Sequence, residues 1–234
     1  MSENNTPEAI RNNPQLNAMR AKICRIGALM YERHLTDAAG GNVSARVGDY
    51  VCISPRYAGS KYQWNIQPEQ VLVVDMDLNI LDGTGEISRE SKVHFKLYRE
   101  FGEHGSSVIH AHARNALVFA AAAQPIPPVL EATQKFGTVP CVEFAPAHGS
   151  DLAEHVAGAI RGNEARIRKQ AMAVLAPWHG LFVMGKDIDA TYDAVERVDE
   201  NAYILLMSKL LDGNDMLAGP RQGLLDALKR YEQH

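Results

Sequence analysis

The stretch Ser107-Val108-Ile109-His110-Ala111-His112 constrains the fold more than any other. It is a strand-length apolar run, and a helical pattern from Ala113 to Ala123 follows it directly. That succession reads as a short buried strand covered by a helix. Side chains two apart on a strand point to one face, so His110 and His112 project together. Two imidazoles side by side on a rigid strand form either a platform for a divalent metal or a hydrogen-bonded structural pair.

Strands and helices recur along the rest of the chain. Leu16, Met19, Ile23, Ile26, Leu29 and Met30 repeat at helical spacing within Gln15 to Leu35 and predict one buried face. Tyr50 to Ser54, Val71 to Met76, Thr138 to Phe144, Ala171 to Leu175 and Leu181 to Met184 read as strands, with Asn79 to Leu81 continuing the second. Ser88 to about Phe101, Ser150 to Arg161, Asp187 to Leu211 and Gln222 to Tyr231 read as helices. No Gly/Ser/Pro-rich linker interrupts the middle. One domain over 15–234 is expected, after a loose tail at 1–14.

Composition narrows the function. The net charge is −4 and no basic block occurs, which argues against nucleic acid as the main partner. No run of about 18 apolar residues is present to span a membrane. Met1 to Pro14 is polar, with no signal-peptide core. The three cysteines, Cys24, Cys52 and Cys141, are far apart. A reduced, cytoplasmic chain is the expectation.

Several other residues stand in suggestive places. Gly40-Gly41-Asn42 is a helix-to-strand turn or an anion-binding loop. Arg56 and Lys61 lie in a polar loop of the kind that carries binding groups. Glu90 sits in a first helical turn, where it complements the helix dipole or shares a face with His94 one turn on. His179 lies in Ala176-Pro177-Trp178-His179-Gly180, between two strands, where core packing explains it poorly.

The set Gly41-Asn42-Val43-Ser44-x-Arg46, Ile53-Ser54-Pro55, Ser88-x-Glu90, His94, Val108-Ile109-His110-x-His112 and His179-Gly180-Leu181 resembles the class II aldolase/adducin family over roughly residues 15 to 210. The resemblance implies an α/β fold, a three-layer α/β/α single domain around a mixed central sheet. It implies one divalent metal ion per subunit, zinc first and manganese, cobalt or iron otherwise, held by Glu90, His110, His112 and His179. Adducin-like members lack these ligands, so an enzyme is implied over a scaffold or other interaction domain. The implied chemistry is carbon–carbon cleavage, with the metal stabilising an enediolate. A ketose 1-phosphate then gives dihydroxyacetone phosphate and an aldehyde.

Gly41, Asn42, Ser54 and Ser88 match the family's phosphate pocket. Arg56 and Arg89 replace small residues there, and two arginines grip a phosphate or a carboxylate equally well. Decarboxylation of an oxo- or hydroxy-acid is therefore the alternative. Glu90 doubles as ligand and base, and Glu131 and Tyr231 are the further acid/base candidates. The 4-epimerase members carry aspartate at the position of Glu90. A small anionic substrate and a homotetramer with sites between subunits complete what the resemblance implies.

Overall fold

A computed structural model describes residues 6–147 and 149–212, together with 222, 223, 225, 226 and 229. Seven strands form one sheet: β1 (Asn42–Val47), β2 (Tyr50–Ile53), β3 (Leu72–Val74), β4 (Ile80–Asp82), β5 (Ser107–Ala111), β6 (Ala171–Ala176) and β7 (Gly180–Gly185). Their order is β4-β3-β2-β1-β5-β7-β6. Every pairing within this sheet is antiparallel. The mixed character expected of it reduces to one parallel bridge, Cys141 to Leu175, outside the named strands.

The helices are α1 (Pro7–Arg11), α2 (Pro14–Glu32), α3 (Ala58–Tyr62), α4 (Ser91–Phe101), α5 (Arg114–Ala121), α6 (Ser150–Ile160), α7 (Glu164–Lys169) and α8 (Ile188–Asp212). They cover both sheet faces because the strands alternate. Val43, Ala45, Ile109, Ala111, Ala173 and Val183 pack with Leu16, Ile23 and Met30 of α2, Ala116 of α5 and Val195 of α8. Val51, Ile53, Val108, Met172, Val174 and Phe182 pack with Val93, Leu97 and Phe101 of α4 and Leu152 and Val156 of α6. β2, β3, β6 and β7 are apolar on both faces, and the result is three layers.

Three local readings change. Residues 7–11 are helical rather than loose: Thr6 caps α1, and Ile10 is buried at 2% exposure. Thr138 to Phe144 is not a strand; it makes only the bridges at Val139 and Cys141, since Pro140 has no N–H to donate to a ladder. Helix α7 buries only Ile167, so no apolar period announces it. The region expected as a helix from Gln222 to Tyr231 lies mostly outside the described residues.

Antiparallel pairing brings three strand ends to one edge. Asn42 at the start of β1 pairs with His110 near the end of β5. Ala111 at that end pairs with Leu181 at the start of β7. The three-residue tip of the β6–β7 hairpin, 177–179, comes to the same edge. No described helix is long and apolar enough to cross a membrane.

Candidate metal centre

His110, one residue before the end of β5, faces the α4 side of the sheet. It is fully buried and stacked on Phe182, with ring centroids 4.2 Å apart. His112 follows just past the strand end, and His179 arrives from the hairpin tip. One nitrogen from each of the three imidazoles lies within 4.8 Å of the others. Glu90, at the mouth of α4, faces the cluster: its Oε2 is 3.0 Å from His110 Nε2 and its Oε1 is 3.0 Å from His179 Nε2.

The ring tautomers are fixed from outside. His110 Nδ1 is 3.1 Å from the Leu181 carbonyl, so it carries the proton and donates. His112 Nδ1 likewise donates to the Asp37 carboxylate, 3.1 Å from Oδ1. Both Nε2 atoms then hold lone pairs. His110 Nε2, with its lone pair, faces a carboxylate oxygen, two acceptors at 3.0 Å. A cation between them removes that conflict. Three imidazoles and one carboxylate, with their outer nitrogens tied to a carbonyl and a carboxylate, suit a divalent ion such as zinc. Burial lowers the His112 pKa, reinforced by His110 and opposed by Asp37, which favours the neutral ring that a metal requires. Burial raises the Glu90 carboxyl, and positive charge at the cluster, on protonated His110 and His179 or on a cation in their place, outweighs it and holds the group below its ordinary range.

Glycines make room for the rings. A Cβ on Gly180 would sit 3.0 Å from His110 Cε1 and 3.1 Å from His112 Cδ2. A Cβ on Gly40 would run into the His112 ring from the other side. Gly41 has a left-handed φ of +96°, which opens the turn into β1.

A pocket of about 340 Å³ opens over the cluster. Gly41, Asn42, Arg56, Ser88, Arg89 and Glu90 line it with the three histidines. Asn42 Nδ2 donates to Ser88 Oγ (2.9 Å) and to the Gly41 carbonyl (2.7 Å). Arg56 is held by Glu86, its Nη1 2.8 Å from Oε2. Arg89 is exposed and has no carboxylate partner among the described residues.

Other expected site residues fall elsewhere. Ser54 is fully buried and accepts from the Val43 N–H at 3.0 Å, so its hydroxyl closes the β1–β2 pair instead of facing the pocket. Glu131 is exposed at the start of a 3₁₀ turn, Glu131–Phe136, and does not line the pocket. Tyr231 lies outside the described residues. His94 turns inward: its Nδ1 is 2.7 Å from Ser44 Oγ, which is also 2.7 Å from the Tyr98 hydroxyl. Burial pushes the His94 pKa down to about 3. Sequence reasoning missed Asp37 altogether. Its carboxylate accepts from His112 and from the N–H groups of Ala39 (2.8 Å) and Gly40 (3.0 Å), so it fixes both ring and loop. The Asp-x-x-Gly spacing of an Asx turn was the available signal.

The chain matches the family described as Class II Aldolase and Adducin N-terminal domain over residues 21–206. It is 27% identical over 184 residues to an L-fuculose phosphate aldolase of Methanococcus maripaludis, covering 78% of this chain and 92% of that one. It is 26% identical over 215 residues to a 5-deoxy-D-ribulose 1-phosphate aldolase of Bacillus thuringiensis, covering 91% and 95%. An L-ribulose-5-phosphate 4-epimerase of Salmonella paratyphi B is 30% identical over 180 residues, covering 70% and 75%. A solved L-fuculose 1-phosphate aldolase superposes with a TM-score of 0.73 over 91% of this chain and 96% of that one, at 22% identity. That last likeness is one of fold.

Proposed function

The chain belongs to the class II aldolase and adducin family, and from that premise we propose that it is a metal-dependent lyase. Its reaction is retro-aldol cleavage of a ketose 1-phosphate to dihydroxyacetone phosphate and an aldehyde. The observation that carries this reading is the convergence of His110, His112 and His179 under a pocket that also holds Glu90. Those four residues would hold the ion. A divalent metal bound there supplies Lewis acidity toward the substrate's carbonyl and neighbouring hydroxyl oxygens.

The protein's own groups do the rest. Ser88, positioned by the Asn42 amide, offers its hydroxyl to the phosphate, and Arg89 and Arg56 offer cationic donors. Glu90 moves the proton: when the C3–C4 bond breaks, the C4 hydroxyl gives up its proton, and C3 takes one up with the electron pair it keeps. The aspartate of the 4-epimerases is a glutamate here, one methylene longer, which favours cleavage over epimerisation. One small-molecule anionic substrate, a cytoplasmic location and a homotetramer with sites between subunits belong to the same reading.

The test is a panel of ketose 1-phosphates offered to metal-loaded protein, with released dihydroxyacetone phosphate measured by coupled reduction. Release that disappears in Glu90→Gln and His110→Ala supports the reading. No release from any member overturns it. Arg89 and Arg56 would hold a carboxylate as well as a phosphate, so the second reading is a decarboxylase; carbon dioxide from a panel of oxo- and hydroxy-acids selects that one.

A further inference from the structure

Trp178 is misplaced by every structural criterion. It is 67% exposed, so it fills no core. Its φ is +56°, a left-handed conformation that costs a bulky residue about 1–2 kcal/mol and that glycine adopts freely. It stands at the β6–β7 tip, next to His179, and lines the pocket. Phe144, itself 57% exposed, packs against it with ring centroids 5.3 Å apart. Two large aromatic rings thus extend one wall of the pocket outward, while Arg56 and Arg89 also line it.

Resting on the lyase reading above, we propose that Trp178, backed by Phe144, is the specificity-determining wall for the substrate end remote from the anion. The aldehyde fragment it selects has an apolar tail, not a chain of hydroxyls. An aromatic wall buries hydrocarbon well and leaves hydroxyl groups unpaired. Strain retained at an exposed ring beside a reactive centre is what a binding role leaves behind and a structural role does not.

The first experiment runs the reaction in the condensation direction with dihydroxyacetone phosphate and either 3-methylbutanal or glyceraldehyde. The preference, as a ratio of kcat/KM values, falls about three- to tenfold in Trp178→Gly and less in Trp178→Phe, matching the worth of an aromatic contact. The thermal midpoint of Trp178→Gly stays at or above that of the native protein, because the left-handed backbone is relieved. An unchanged ratio overturns the proposal.

The second experiment needs no turnover. The chain has two tryptophans, and Trp64 is fully buried, so acrylamide quenching reads Trp178. Benzyl phosphate protects Trp178 and glycerol phosphate does not. Equal effects of the two ligands overturn the proposal. So does a Trp178 already shielded without ligand, which means that a second copy of the chain covers it. Failure of every aldehyde to condense refutes the lyase reading alone, and the quenching comparison still decides the wall.

Discussion

Replacing Gly40 with alanine adds a methyl group against the His112 imidazole. The new Cβ would lie 2.7 Å from Nδ1 and closer still to Cε1 and Nε2. Ordinary carbon contacts lie at about 3.5–4.0 Å, so the ring must retreat by more than about 0.8 Å. Metal–ligand distances tolerate about 0.2 Å. The ring cannot simply turn aside, because Asp37 holds its Nδ1 and the Gly180 side closes the opposite flank. Gly40 itself has no left-handed φ, so alanine suits the backbone and the damage is confined to the ring. Loss of an outer-shell partner weakens metal binding about 10–100-fold. Displacing the ring should therefore exceed about 100-fold, or roughly 2.7 kcal/mol. The assay is competition with a chelator of known affinity, with far-UV circular dichroism to show an intact fold. Gly158→Ala is the control: it lies in α6, and the nearest atom to its new Cβ is Arg161 Nη1 at 3.9 Å. Metal affinity of Gly40→Ala within threefold of the native value refutes the placement of His112 in the site.

Asp37→Asn keeps the loop's turn but removes the charge behind His112; chelator competition should show metal affinity down about 10–100-fold. Ser44→Ala leaves His94 Nδ1 buried without its partner and takes one from Tyr98; urea unfolding should show a loss of about 2–3 kcal/mol. Asp82 is bound by Arg20 (2.7 Å) and Arg11 (3.2 Å); breaking this partly buried cluster with Asp82→Asn should cost about 1–2 kcal/mol at neutral pH, since Arg11 is largely exposed. Burial raises the Asp82 pKa, but Arg20 and Arg11 reverse this and leave it lowered. Its contribution is thus complete above the unfolded value of 3.8 and disappears as pH falls through the folded one. Urea titrations of both proteins should therefore converge in acid; a constant gap across pH would contradict the assignment.

Period-two alternation made His110 and His112 legible as a pair, and apolar periodicity located α2, α4, α6 and α8. The Pro-Trp-His-Gly junction marked His179, because a polar residue between two apolar strands needs a reason. What stayed hidden depends on contacts remote in sequence. Asp37 reaches His112 across 75 positions, and no local pattern encodes that. His94 shares the helical spacing of Glu90, yet Ser44 on β1 draws it inward, and spacing alone cannot choose between those faces. Glu131 was assigned by family position, and the chain around Pro127 and Pro128 carries it away from the pocket. The orientation of the strands was equally illegible, since apolar runs buried on both faces look the same in either direction.

The three imidazoles come together from places far apart in the chain, and the last of them is carried by the final hairpin of the sheet. On a ribosome the early imidazoles emerge long before residue 179 exists, so an ion met then finds two nitrogens and no enclosure. Capture waits until β7 zips against β5. A one-residue slip of β7 in that zipper would turn Phe182 away from His110 and displace His179 from the other imidazoles. An ion held by all of these groups would therefore stabilise correctly aligned chains over mispaired ones.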